Sequence, residues 1–189
     1  MKYYFTPEDD KLKWNTGNSR SLLKTVVCEI TSQHNTAQNG TSGDYIIMNA
    51  PDWVIIIPEK DMNFLMVKQW RHGEKALSIE FPGGVIDNNE TPEAAAIREL
   101  QEETGYIAGN LTKLGTVNPN PALFSNHVHI FLAENLTPTG IQHLDNDEFI
   151  DYIELSKDEV LQGMGTEQFP HAIMGTALCL YLKHKSIHF

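Results

Sequence analysis

The stretch Gly83-Gly84-Val85-Ile86-Asp87-Asn88-Asn89-Glu90-Thr91-Pro92-Glu93-Ala94-Ala95-Ala96-Ile97-Arg98-Glu99-Leu100-Gln101-Glu102-Glu103-Thr104-Gly105-Tyr106 decides how the chain is read. Its second half predicts a helix over Thr91–Thr104. Thr91 can cap it, Pro92 suits the first helical position, Glu93 favours the positive end of the dipole and Gly105 stops it. From Asp87 to Glu103 there are six carboxylates and one cation, Arg98, so about half of the chain's net charge of −11 lies in this short stretch. At 100° per residue Glu99, Glu102 and Glu103 fall within about 100° of one another and line one face. Ala95 leaves room beside them. Ile97, Leu100 and Thr104, with the aliphatic stem of Glu93, are expected to pack on a sheet from the opposite side.

Glutamates four residues apart repel each other, and a merely solvated face would interleave lysines to form stabilising pairs. A divalent cation removes the repulsion. All-oxygen ligands select a hard ion, Mg2+ first and Mn2+ second, and Mg2+ commonly bridges carboxylates to substrate phosphates. Just ahead, Glu80-Phe81-Pro82-Gly83-Gly84 leaves a strand for a glycine loop whose backbone can come close to a bound group and offer it a carbonyl.

The rest of the 189 residues fits one domain with an extension. With 14 Lys and Arg against 25 Asp and Glu, the chain should repel polyanions, which counts against nucleic acid and anionic membrane surfaces as partners. Hydrophobic residues make up 41% and charged ones 21%, the balance of a globular protein. Cys28 and Cys179 each lie in an apolar stretch and are expected to be small buried thiols. No Cys-x-x-Cys pair suggests structural zinc. The longest apolar runs, Trp53 to Ile57 and Ala177 to Leu182, are too short to span a bilayer, and the N-terminus turns acidic before an apolar segment develops, so a cytoplasmic location is expected.

Strands are predicted at Leu22–Ile30 and Tyr45–Asn49, with a loose Ser, Asn, Thr and Gly-rich segment at Ser32–Asp44 between them, as an N-terminal β extension over residues 1–49. Further strands are predicted at Trp53–Pro58 and Phe64–Trp70 around a hairpin turn, at Leu114–Val117, at Val128–Ala133 and at Phe149–Leu155. A closing helix over Pro170–Lys185 has Gly175 as a weak spot. Interleaved strands and helices argue for an α/β fold, a sheet covered by helices.

Gly84, Glu90 after five residues, and Arg98-Glu99-Leu100-Gln101-Glu102-Glu103-Thr104-Gly105-Tyr106 after seven more resemble the signature of the Nudix hydrolases at every fixed charged and glycine position. Only Tyr106 departs, where the pattern prefers an aliphatic residue. The resemblance implies an α/β/α sandwich with a mixed sheet over residues 50–189, the signature forming loop, helix and loop. It also implies hydrolysis of a nucleoside diphosphate linked to another group, with Mg2+ or Mn2+. Carried onto this chain, the metal ligands are Glu99, Glu103 and the Gly83 carbonyl, with Glu102 as a further ligand or water-activating base. Arg98 becomes structural, able to pair with Glu102 or Glu90, while Gly84 and Gly105 permit the loop bends.

Val67-Lys68-Gln69-Trp70-Arg71 resembles the strand before the signature in the ADP-ribose pyrophosphatase branch, which implies that Arg71 contacts substrate. Pro121 sits at that branch's marker proline, and Asp145-Asn146-Asp147-Glu148 at its acidic loop, where Glu148 comes first and Asp147 second as catalytic base. The N-terminal extension resembles the strands with which the branch forms homodimers; its Trp14 or Phe5 could stack on a base or simply pack. The branch often carries a second arginine where this chain reads Tyr45-Ile46-Ile47-Met48-Asn49, and Asn118-Pro119-Asn120-Pro121-Ala122 also differs from its usual form. Another nucleoside diphosphate sugar therefore stands beside ADP-ribose as substrate. Two rivals remain. A house-cleaning nucleoside triphosphate pyrophosphatase is opposed by the long extension, Arg71 and Pro121, and a non-enzymatic nucleotide-sugar sensor by the intact Glu99, Glu102 and Glu103.

Overall fold

The computed structural model describes residues 2–144 and 148–186. The chain divides into two compact units, one formed by residues up to Pro51 with Asn120–Asn126, the other by Asp52–Pro119 and the chain from His127 on.

The first unit is a three-stranded antiparallel sheet in the order β1 (Trp14–Lys24), β2 (Glu29–Ala37), β3 (Ser42–Asn49), preceded by a 3-10 helix at Pro7–Leu12. Two expectations are corrected here. The strand expected over Leu22–Ile30 is broken by a turn, in which the Thr25 hydroxyl accepts the N–H groups of Val27 and Cys28 and donates to the Cys28 carbonyl at 2.8 Å. The loose segment expected at Ser32–Asp44 is mostly paired strand, running in register from Glu29 opposite Asn49 to Thr36 opposite Ser42. Its polar side chains read as loop formers, but a sheet in which only Thr31 is buried needs no apolar alternation, and its ladder is joined by cross-strand side-chain contacts such as His34 to Asp44 at 2.8 Å. Every residue of β1 is exposed.

The second unit is a mixed sheet covered by helices, as expected. Its path is β6 (Ala76–Glu80), β5 (Asn63–Arg71), β4 (Trp53–Lys60), β8 (Val128–Pro138), β7 (Tyr106–Val117), and β9 (Asp151–Ser156) pairs with β5. β4 and β8 are parallel and the other pairs antiparallel. Residues alternate sides along β4. Val54 and Ile56, with Phe131 and Ala133, pack on Ala95, Ala96 and Leu100 of α1 (Pro92–Thr104). Ile55 and Ile57, with Val128, Ile130 and Leu132, share a core with α3 (Ala172–His184), while α2 (Lys157–Gly163), which has no counterpart among the expected elements, adds Val160. Among the described residues no helix is long and apolar enough to cross a membrane.

One departure from a simple meander positions everything that follows. β4 and β5 pair only beside their turn, Glu59 with Phe64 and Lys60 with Asn63, and then part. The glycine loop takes the vacated edge of β4. Val54 N–H donates to the Gly84 carbonyl, Ile56 N–H to the Pro82 carbonyl and Ile86 N–H to the Asp52 carbonyl, each at 2.9 Å.

Two further expectations fail for reasons of geometry. Ile97 is 47% exposed, and the buried face of α1 consists of Ala95, Ala96, Glu99, Leu100, Glu103 and Thr104. The acids therefore lie on the packed side of the helix rather than opposite it. Neither cysteine is buried: Cys28 belongs to the β1–β2 turn, and Cys179 is exposed because Ala177, Leu178, Tyr181 and Leu182 take the inward face of α3. Gly175 is carried within α3 without interrupting it. If the face is drawn correctly, Leu100→Ala costs about 3 kcal/mol in urea unfolding and Ile97→Ala less than about 1 kcal/mol; equal costs contradict it.

Candidate active site

Local rules build α1 as expected. Thr91 Oγ1 accepts the Ala94 N–H at 3.2 Å, Pro92 opens the helix, and Gly105 closes it in the left-handed region at φ 71°, donating to the Gln101 carbonyl at 2.8 Å. The loop ahead of it is clamped by Arg98. Its Nε and Nη2 hold the two Glu90 oxygens at 3.1 and 2.9 Å, Nη2 also reaches the Val85 carbonyl at 3.0 Å, and Nη1 bridges Glu99 at 2.8 Å and Glu102 at 3.0 Å. One guanidinium thus ties the helix to the preceding loop and fixes two of its acids. Gly84 is equally constrained, since a Cβ there would lie 2.3 Å from Glu99 Oε1.

The electrostatics of this face are those of negative charge held out of water. Glu99 is 7% exposed and Glu103 2%. Burial pushes the Glu99 carboxyl up to about 7, with the charges of Glu102 and Glu148 adding to the rise and Arg98 opposing it. Burial also raises Glu103 well above the usual range, reinforced by Glu99 and Glu148 and opposed by the Gly83 N–H and Arg71. Glu90, gripped by Arg98, is held below its ordinary value. Glu148 therefore acts on both buried acids. Earlier in the chain, residues 142 and 143 lie at the end of α1, where His143 N–H donates to the Glu102 carbonyl at 3.0 Å and the Gln142 amide to the Glu103 carbonyl. Asp147 lies outside the described residues.

Gly83 completes the group through its backbone. Its N–H donates to Glu103 Oε2 at 2.9 Å. On either side of it the Pro82 and Gly84 carbonyls accept the Ile56 and Val54 N–H groups of β4.

Arg71 leaves β5 to meet Glu80 on β6, with Nε to Oε1 at 2.8 Å and Nη2 to Oε2 at 2.6 Å. No role falls to Glu80 from sequence; its only mark there is a position at the end of a strand, nine residues after Arg71. Pro121 is exposed and belongs to the first unit. The structure thus gathers Gly83, Gly84, Glu90, Arg98, Glu99, Glu102, Glu103, Gly105 and Glu148 around α1, puts Arg71 within electrostatic reach of Glu103, and leaves Pro121 in the other unit.

Residues 48–173 match the NUDIX domain family. The ADP-ribose pyrophosphatase of Bacillus subtilis (strain 168) is 36% identical over 126 residues, 66% of this chain and 68% of that one. The methanol dehydrogenase activator of Bacillus methanolicus is 34% identical over the same shares of both chains. A crystal structure of ADP compounds hydrolase superposes with a TM-score of 0.80 at 26% identity, covering 92% of this chain and 96% of that one. The chain belongs to the Nudix family, and it is a Nudix hydrolase. A divalent metal is the group this family implies, and the residues fit one: the Glu99 and Glu103 carboxyls are raised chiefly by their burial, with neighbouring carboxylates adding to the rise, and the Gly83 backbone lies against Glu103. Among the described residues no three His, Cys, Asp or Glu side chains form a metal cage, so an ion here would complete its shell with backbone, water or substrate oxygens.

A carboxyl whose value rises from 4.5 in the unfolded chain to about 7 when folded favours folding while protonated and loses that advantage as pH climbs between those values, about 3 kcal/mol in all. Glu103 acts in the same direction. In chelator, the melting temperature is therefore expected to fall between pH 5 and 8 by a margin that Glu99→Gln reduces by the Glu99 share; an equal fall in the variant contradicts the assignment.

Proposed function

We propose that the chain hydrolyses the pyrophosphate bond of a nucleoside diphosphate sugar such as ADP-ribose, releasing a nucleoside monophosphate and a sugar phosphate. The observation that carries this reading is the acidic face of α1, buried and locked by Arg98, with Arg71 close enough to feel Glu103. The names of the related ADP-ribose pyrophosphatase and of the ADP compounds hydrolase support the substrate class.

Glu99, Glu103 and the Gly83 carbonyl hold Mg2+, or Mn2+ in its place, with Glu102 as a further ligand. When bound, the ion neutralises pyrophosphate oxygens and lowers the pKa of nearby water. Water oxygen bonds to phosphorus as the bridging P–O bond breaks, the electron pair leaves with the departing phosphate, and Glu148 or Glu102 takes the water's proton. Arg71 and Pro121 contact the substrate. Arg98, Glu90, Gly84 and Gly105 keep the carboxylates in place.

Residues 50–189 form the hydrolase domain in this reading, and the strands of residues 1–49 join two copies into a homodimer. The exposed Leu22, Leu23, Tyr45 and Ile46 of that sheet support the second point. The location is cytoplasmic, without nucleic acid or membrane as partner, which the net charge of −11 supports.

With Mg2+, the chain is expected to release phosphomonoester from ADP-ribose faster than from GDP-mannose or dGTP, and Glu103→Gln to lower kcat at least about a hundredfold with the melting transition kept. No release from any nucleotide sugar, or near-normal turnover in the variant, overturns the reading. Sedimentation equilibrium should return twice the 21.3 kDa chain mass; a monomer at micromolar concentration contradicts the dimer.

A further inference from the structure

A cavity of about 470 Å³ in the second unit is lined by Trp70, Arg71, Glu80, Pro170 and His171, among others. Glu80 in its wall is fully buried, whereas the Arg71 side chain that it grips is 43% exposed. The grip is edge-on, through Nε and Nη2. A guanidinium has five N–H groups in a rigid plane, so the two hydrogens of Nη1 and the second of Nη2 remain for a ligand, and no acceptor among the described residues takes them. Burial pushes the Glu80 carboxyl up, but the Arg71 guanidinium outweighs it and holds the group below its usual value, so the pair is ionic. Arg71 and Glu103 feel each other's charge, which puts the free edge within reach of the acidic face.

His171, which opens α3, lines the same cavity. As its N-cap residue, His171 accepts the Ile173 N–H on Nδ1 at 3.2 Å, and burial holds its imidazole below the ordinary value. A buried ion pair is a poor source of stability, since desolvation offsets most of its attraction. A planar donor fixed on one edge and open on the other is suited instead to receiving a phosphate oxygen pair.

We propose that Glu80 is a positioning residue that works through Arg71, holding the guanidinium so that its free edge meets the phosphate-bearing substrate. The proposal rests on the nucleotide-sugar reading above. Its test is a double-mutant cycle on the full chain, with steady-state kinetics on whichever nucleotide of the panel wild type cleaves best. Glu80→Gln should raise KM about tenfold with kcat within about twofold. Arg71→Ala should raise KM at least as much, and the double variant no further than Arg71→Ala alone, because a residue acting only through another adds nothing once that other is gone. Arg71→Lys, which keeps the charge against Glu80 but lacks the planar fork, should raise KM about as much as Arg71→Ala, and it carries the test if Glu80→Gln does not fold. Multiplicative effects in the double variant, an unchanged KM in Glu80→Gln, or wild-type KM in Arg71→Lys overturns the positioning role while leaving the activity standing. A wild-type chain that cleaves nothing in the panel overturns the functional reading and this role with it.

Discussion

Burial of two like charges on one helix face is the constraint on which the rest of the second unit depends. Glu99 and Glu103 sit one turn apart, almost wholly out of water, where burial raises the cost of ionising both and neighbouring carboxylates add to it. An ordinary core position would hold a leucine there. The fold instead surrounds the pair with devices that keep it in place: Arg98 across the loop, the missing side chain of Gly84 and the Gly83 N–H.

That arrangement needs an edge of the sheet to hang on, which explains why β4 and β5 separate after two residue pairs. Had the hairpin continued, β5 would have occupied the hydrogen-bonding positions that Pro82 and Gly84 use. The parted strands leave a gap that the glycine loop fills, and α1 descends from it onto Val54 and Ile56. β5, freed from β4, pairs with β6 and β9 and carries Arg71 to Glu80. The acidic face and the arginine are thus two consequences of one topological choice.

How much of this was legible in the sequence follows from how local each determinant is. Thr91, Pro92 and Gly105 act on their own turn, so the ends of α1 could be read directly. The family signature is likewise a local string, and it marked the helix that carries the acids. What escaped depends on partners far along the chain. The inward face of α1 was misplaced because the metal-binding glutamates were set opposite the packed side, and only the sheet shows that Ala96 and Leu100 share their burial. The polar pairing of β2 with β3 has no hydrophobic period to betray it. Glu80 is silent until β5 and β6 are laid side by side.

An acidic chain that binds an anionic pyrophosphate requires a cation to reverse the sign of its own site, and the raised carboxyls make this measurable without any substrate. Titrating Mg2+ into the chain at pH 6 in two buffers of different ionisation enthalpy counts the protons displaced as metal binds. With Glu99 pushed up to about 7 and Glu103 raised beside it, the account predicts release of about one proton or more per ion, reduced in Glu99→Gln. Binding that releases no proton, or that is unchanged in the variant, would contradict it.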